Sequence, residues 1–132
     1  LLVVPFAPGL FTANADGRGA LAGFAVQATA TLPLFQCGGA GSCTPNPIDI
    51  NTPTFLTLYG TGLRGAAGEH TATLSIGGVA VPVTFSGAQG QFPGLDQLNA
   101  GPLPATLRGR GAVELLLRIG GETANRTTIH IQ

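Results

Sequence analysis

Glycine and proline interrupt this chain every few residues, with 21 Gly and 10 Pro among 132 positions. Proline cannot sit inside a helix without removing a hydrogen bond, and glycine weakens both helices and strands. No stretch of ten or more residues keeps a helical period between caps, and Pro102–Leu107 is the best candidate for a single helical turn. What fits between the interruptions is short and alternates with period two. Val79, Val81, Val83 and Phe85 share one face; Val113, Leu115, Leu117 and Ile119 share another; Thr127, Ile129 and Ile131 a third. Such alternation marks strands with one side turned to a core. The core is expected to include Val81, Val83, Phe85, Leu115, Leu117, Ile129 and Ile131.

Phe55–Tyr59 and Thr71–Ile76 add two more strands rich in Thr and β-branched residues. Ile76-Gly77-Gly78-Val79 and Ile119-Gly120-Gly121-Glu122 each place Gly-Gly between strand-like runs, the requirement of a primed two-residue hairpin turn. Gly23–Leu32 alternates small and polar residues and reads as one long strand. Six to eight short strands at this spacing predict an all-β, immunoglobulin-like antiparallel β-sandwich over residues 1–132, with under about 10% helix.

Charge narrows the function. Hydrophobic residues make up 44% of the chain and charged ones 9%, with six Arg, no Lys and six acids. An ordinary soluble domain carries roughly 25% charged residues, so this surface is covered by Thr, Gly, Ala, Gln and Asn. Only Arg108 and Arg110 lie close together, which leaves no basic face for nucleic acid. The longest apolar runs, Leu1–Val4 and Ala20–Val26, are far short of the roughly 18 residues of a membrane helix, so no membrane insertion is expected. A chain without Met reads as processed or excised from a longer product.

Cys37 and Cys43 flank Gly38-Gly39-Ala40-Gly41-Ser42, a flexible loop that lets the thiols meet. A disulfide closing so short a loop stabilises the fold by roughly 2 kcal/mol and points to an oxidising, extracellular compartment. The loop and Pro45-Asn46-Pro47 read as an insertion between strands.

Several motifs, taken in order, carry a family resemblance. They are Ala7-Pro8-Gly9-Leu10-Phe11-Thr12, Phe55-Leu56-Thr57-Leu58-Tyr59-Gly60-Thr61-Gly62-Leu63-Arg64, Ile76-Gly77-Gly78-Val79, the long block Gly87–Asn99, Gly109-Arg110-Gly111 and Thr123-Ala124-Asn125. The set resembles the uncharacterised C-terminal domain of large secreted proteins from Solibacter-like acidobacteria, a domain that ordinarily closes a much longer protein. It is more loosely similar to the immunoglobulin-like modules of plexins and transcription factors. The resemblance implies secretion and an immunoglobulin-like fold, and no activity.

The chemistry-bearing residues point away from catalysis, cofactors and metals. Ser42, Ser75 and Ser86 lack a nucleophile elbow, and His70 and His130 read as surface residues of Thr-rich strands. Asp16, Asp49, Glu69, Asp96, Glu114 and Glu122 are isolated rather than facing one another as a glycosidase pair requires. Asn14-Ala15-Asp16-Gly17 begins like a calcium loop but lacks the later ligands, so it reads as a turn. Asp96, inside the Gly94–Asn99 block, is expected to tie its loop to backbone amides rather than bind a ligand, and the Asn125-Arg126-Thr127 sequon to be fortuitous. With no Lys there is no intramolecular isopeptide bond, and with no Trp and one Tyr the seven Phe are assigned to the core.

Two non-enzymatic readings follow. In the first, the domain is a structural or adhesive module, including the repeating subunit of a cell-surface or extracellular fibre. The apolar segment Leu1, Leu2, Val3, Val4, Phe6 would then pair with a neighbouring copy or a neighbouring domain by strand addition, or else form the first strand of its own sandwich. In the second, it binds polysaccharide or protein, and a groove with polar lining beside an exposed Tyr59 would favour it. Thiol titration of the denatured, unreduced protein is expected to find no free thiol; two per chain would refute the disulfide.

Overall fold

The computed structural model describes residues 8–39, 42–64 and 71–132. Among the described residues, fourteen strands build two six-stranded sheets and one small hairpin, packed as an all-β sandwich. The first sheet runs β10 (Val83–Ala88), β11 (Asp96–Ala100), β7 (Phe55–Thr61), β2 (Gly23–Val26), β3 (Thr31–Pro33), and β1 (Gly9–Leu10) extends the β2 side of β7. The second runs β6 (Pro47–Ile48), β14 (Thr127–Ile131), β12 (Gly111–Ile119), β8 (Ala72–Ile76), β9 (Val79–Val81), with β13 (Glu122–Thr123) beside β12. Pairing is antiparallel throughout both sheets except between β14 and β6, which run parallel. β4 (Phe35–Cys37) and β5 (Cys43–Pro45) form the separate hairpin. No α-helix occurs among the described residues, and Ala105–Leu107 makes a single 3₁₀ turn inside the expected Pro102–Leu107 span.

Both Gly-Gly turns are where their chemistry requires them. Gly77 and Gly78 have φ of 55° and 83°, and Gly120 and Gly121 have 58° and 89°, so each pair takes the doubly left-handed path of a type I′ turn. Each turn carries the chain back along its own sheet, β8 into β9 and β12 into β13.

The core is aliphatic. Leu56, Leu58 and Leu98 from the first sheet meet Ile76, Leu115, Leu117 and Ile129 from the second, all at most 1% exposed. Five of the seven expected core residues are buried: Val81, Leu115, Leu117, Ile129 and Ile131. Val83 is half-buried and Phe85 is 45% exposed. The cause is Pro82, which has no N–H for a ladder and stands where the chain leaves one sheet for the other: β9 pairs with β8, β10 with β11. A register shift between Val83 and Phe85 then reverses the parity, setting Phe85 opposite outward-facing Asn99. Gly23–Leu32 is likewise two strands, because Gln27 and Ala30 exchange backbone hydrogen bonds at 2.8 and 3.4 Å and fold β2 onto β3.

The phenylalanines also fall elsewhere than expected. Phe11, Phe55, Phe85 and Phe92 are 40–63% exposed, and Phe24 and Phe35 are half-buried. Along β7 the inward positions are Leu56, Leu58 and Gly60, so Phe55, Thr57 and Tyr59 face out. Gly60 is fixed by close approach: a Cβ there would overlap the backbone carbonyl of Gly9 on β1. Gly60→Ala is therefore expected to lower stability by about 2–4 kcal/mol in urea unfolding, through displacement of β1. Gly39→Ala, where a Cβ meets nothing within 4 Å, is expected to stay within about 0.5 kcal/mol of the parent. Equal stability of the two variants would refute this account of β7.

Candidate binding face

The two outer faces of the sandwich differ in chemistry. On the second sheet the outward positions of β12 include Glu114 and Arg118, those of β14 include His130, and Arg126 pairs with Glu114 at 3.2 Å. On the first sheet the outward positions of β2, β7 and β11 are Phe24, Val26, Phe55, Thr57, Tyr59, Thr61, Gln97 and Asn99. None is charged. The register sets Phe24 and Asn99 on either side of Thr57, and Gln97 beside Tyr59. Gln97 Nε2 donates to Asn99 Oδ1 at 3.0 Å.

At the Tyr59 end lies a hollow of about 410 Å³ lined by Phe11, Phe24, Phe35, Tyr59, Phe92 and Leu95 together with Ala22, Gln89 and Gln91. The Phe24 and Tyr59 rings stand 6.3 Å apart at 83°, an edge-to-face pair that stabilises the floor and leaves ring surface free above it. Phe11 is shared with a second hollow of about 390 Å³ beside Thr12, Ala15 and Gly17. A third, of about 290 Å³, lies by Val26 and Phe55 at the opposite end of β7.

Side-chain amides hold the walls. Asn14 accepts from the Cys43 N–H at 2.8 Å and donates to the Cys43 carbonyl at 3.0 Å, standing in for a strand partner of the β4–β5 hairpin that carries Phe35. Asn125 repeats the device on β1: its Oδ1 accepts from Leu10 N at 2.7 Å, and its Nδ2 donates to the carbonyls of Leu10 and Gly17. Phe11 follows directly and donates its N–H to the Tyr59 carbonyl at 2.9 Å. Gln89 Oε1 accepts from the N–H groups of Gln91 and Phe92, and Gln89 Nε2 donates to Gln91 Oε1. The 89–95 loop is thereby shaped around its own first side chain.

The residues singled out from the sequence are thereby placed. Cys37 and Cys43 sit opposite each other in the β4–β5 register and form the disulfide. Leu1, Leu2, Val3, Val4 and Phe6 lie outside the described residues, as do Glu69 and His70. Asn14–Gly17 is a turn in which Thr12, Asp16 and the backbone of Gly17 and Arg18 bond one another. Asp96 is 3% exposed and accepts from Leu63 N and Arg64 Nε, so it ties its own segment to a backbone amide just after β7, as expected, and pairs with Arg64 as well. Ser86 donates to the Leu63 carbonyl at 2.7 Å from the neighbouring strand. The sequon nitrogen of Asn125 is occupied by two carbonyls. Among the described residues no three His, Cys, Asp or Glu side chains gather as a metal site, and no helix is long and apolar enough to cross a membrane.

Sequence reasoning passed over the aromatic wall itself: Phe11, Phe24, Phe35 and Phe92. The one usable signal was parity on β7, where Leu56 and Leu58 claim the core and leave Tyr59 outside. No family model, curated protein or solved structure matches the chain.

Asn14→Ala is expected to cost about 1–3 kcal/mol in stability and to speed amide exchange at Cys43, because the Cys43 N–H and carbonyl lose their bonds to Asn14. Asn14→Asp, which keeps the acceptor alone, is expected to fall between. Unchanged exchange at Cys43 in Asn14→Ala would refute the clamp.

Proposed function

We propose that this chain is a non-catalytic, extracellular adhesive module that makes its contacts through the outer face of the first sheet. The observation that carries the reading is the asymmetry of the two faces. One bears the charge typical of a solvated surface, whereas the outward strand positions of the other, among the described residues, bear rings and amides and no charge. Exposed aromatic area is disfavoured in water, by roughly 25 cal/mol per Å², and clusters of it on a stable domain mark contact sites. The rings are held by dedicated hydrogen bonds from Asn14, Asn125 and Gln89, which suits a preorganised surface. The disulfide and the resemblance to secreted acidobacterial domains support an extracellular setting. The long motif block of that resemblance supplies the Gln89–Leu95 wall of the main hollow. The fibre-subunit reading draws on the same sparse charge.

The test is retention of fluorescently labelled protein on cells of the source organism and their extracellular matrix. Phe24→Ala and Phe92→Ser are expected to cut retention at least fivefold with the fold intact by circular dichroism. Arg118→Gln, on the opposite face, is expected to leave it unchanged. Retention lost in Arg118→Gln and kept in the aromatic variants would overturn the assignment of the face.

A further inference from the structure

We infer that the ligand of this face is a neutral polysaccharide, bound lengthwise along β7 with Tyr59 as its central platform; the inference rests on the face assigned above. Three observations lead to it.

The first is neutrality. Among the described residues no charged side chain lines the main hollow, the one beside Thr12 or the one by Phe55. The turn that walls the Thr12 hollow carries Asp16 and Arg18, which face each other at 4.0 Å. On the strands of the face the acid is Asp96, which points to the other side of its sheet and is engaged with Leu63 and Arg64. An anionic polymer or a basic peptide would lose its hydration on this surface and find no opposite charge in return.

The second is the pairing of rings with amides. A pyranose presents an apolar face of C–H bonds and a rim of hydroxyls that each donate and accept. The apolar face matches an aromatic ring, and the rim matches groups able to do both. Tyr59 supplies ring and hydroxyl together, and its hydroxyl has no partner among the described residues. Gln91 Nε2 is also without one, since Gln91 spends its oxygen on Gln89. Farther along, the Gln97–Asn99 bond uses one donor and one acceptor, leaving Gln97 Oε1 and Asn99 Nδ2 as a complementary pair on the outer face. A protein partner would ask for a different surface, with a desolvated anchor pocket and commonly Arg at its centre.

The third is shape. Phe11 borders both the main hollow and the one beside Thr12, and Phe55 borders the third at the other end of β7, so the depressions are separate rather than closed into one pocket. Tyr59 and Phe55, four residues apart on one parity, stand about 13 Å apart along β7. A compact ligand would use one depression. A chain of linked sugars uses all three.

Affinity electrophoresis tests this, with the intact domain run in gels containing a neutral polymer (mixed-linkage β-glucan, xyloglucan or galactomannan) or an anionic one (polygalacturonate or alginate). Retardation is expected in at least one neutral gel and in neither anionic gel. Tyr59→Ala is expected to weaken it at least tenfold, and Tyr59→Phe, which keeps the ring and loses the hydroxyl, about threefold, with Arg118→Gln unchanged. Retardation only by the anionic polymers, none by any neutral polymer, or a Tyr59→Ala protein that runs like the parent would each overturn the inference. Failure of the two readings is distinguishable. Cell retention that still depends on Phe24 and Phe92 while every neutral gel is silent refutes the ligand class and leaves the face standing. Loss of retention in Arg118→Gln alone refutes the face and the ligand together.

Discussion

Strand β7 is paired along both edges, to β11 on one side and to β1 and β2 on the other, so its register is imposed from two directions. Because side chains alternate strictly, that register decides at once what is core and what is surface. Leu56 and Leu58 enter the sandwich and are at most 1% exposed, while Phe55, Thr57 and Tyr59 are sent outward. A slip of one residue would bury Tyr59 and the two threonines and expose the leucines. Close packing of backbone guards against it. Gly60 leaves room for the Gly9 carbonyl, and Gly23 on β2 leaves room for the carbonyl of Thr57. The core and the aromatic face are two consequences of one strand alignment, and neither can be altered alone.

Beyond the sheet, the aromatic face depends on pieces that cannot hold themselves. β1 has two residues and the β4–β5 hairpin three on each side, too short for ladder hydrogen bonds alone to fix them. Asn125 and Asn14 each satisfy both the N–H and the carbonyl of one residue, as a neighbouring strand would. The disulfide closes the hairpin's far end. Each hydrogen bond contributes only about 1 kcal/mol net, but leaving the paired backbone groups unmet would be worse, which is why a single amide can decide where a wall stands. Phe11 and Phe35 inherit their positions from these clamps.

How much of this was legible in the sequence follows from how local each feature is. The Gly77-Gly78 and Gly120-Gly121 turns and the Cys37–Cys43 bridge depend on residues within a few positions of one another, and all three could be read directly. The alternation of β12 and β14 was legible for the same reason, since Leu115, Leu117, Ile129 and Ile131 keep one parity without interruption. Phe85 was misplaced because a proline and an extra residue reverse the parity in mid-run, and period two cannot reveal a bulge. The aromatic face was hidden by a different ambiguity. In Phe55-Leu56-Thr57-Leu58-Tyr59 both parities carry apolar residues, and only the partners β2 and β11, distant in sequence, choose between them. Asn14 and Asn125 act across 29 and 115 positions, beyond any local pattern.

The scarcity of charge takes on a sharper meaning once its placement is known. Asp96 and Arg64 are consumed in securing the segment after β7, and Arg126 with Glu114 in crossing the second sheet. The outward strand positions of the first sheet carry none of the charge, and beside its hollows Asp16 and Arg18 face each other at 4.0 Å. A surface of this kind binds without steering, since no long-range field draws a partner toward it or turns it on approach. Contact must then be built from short-range stacking and hydrogen bonding, which reward a ligand that repeats the same contact many times more than one that makes it once. On the proposed reading, copies of the domain that met through the same rings would compete with the ligand for Tyr59, so occupancy of the face would also limit self-association through it.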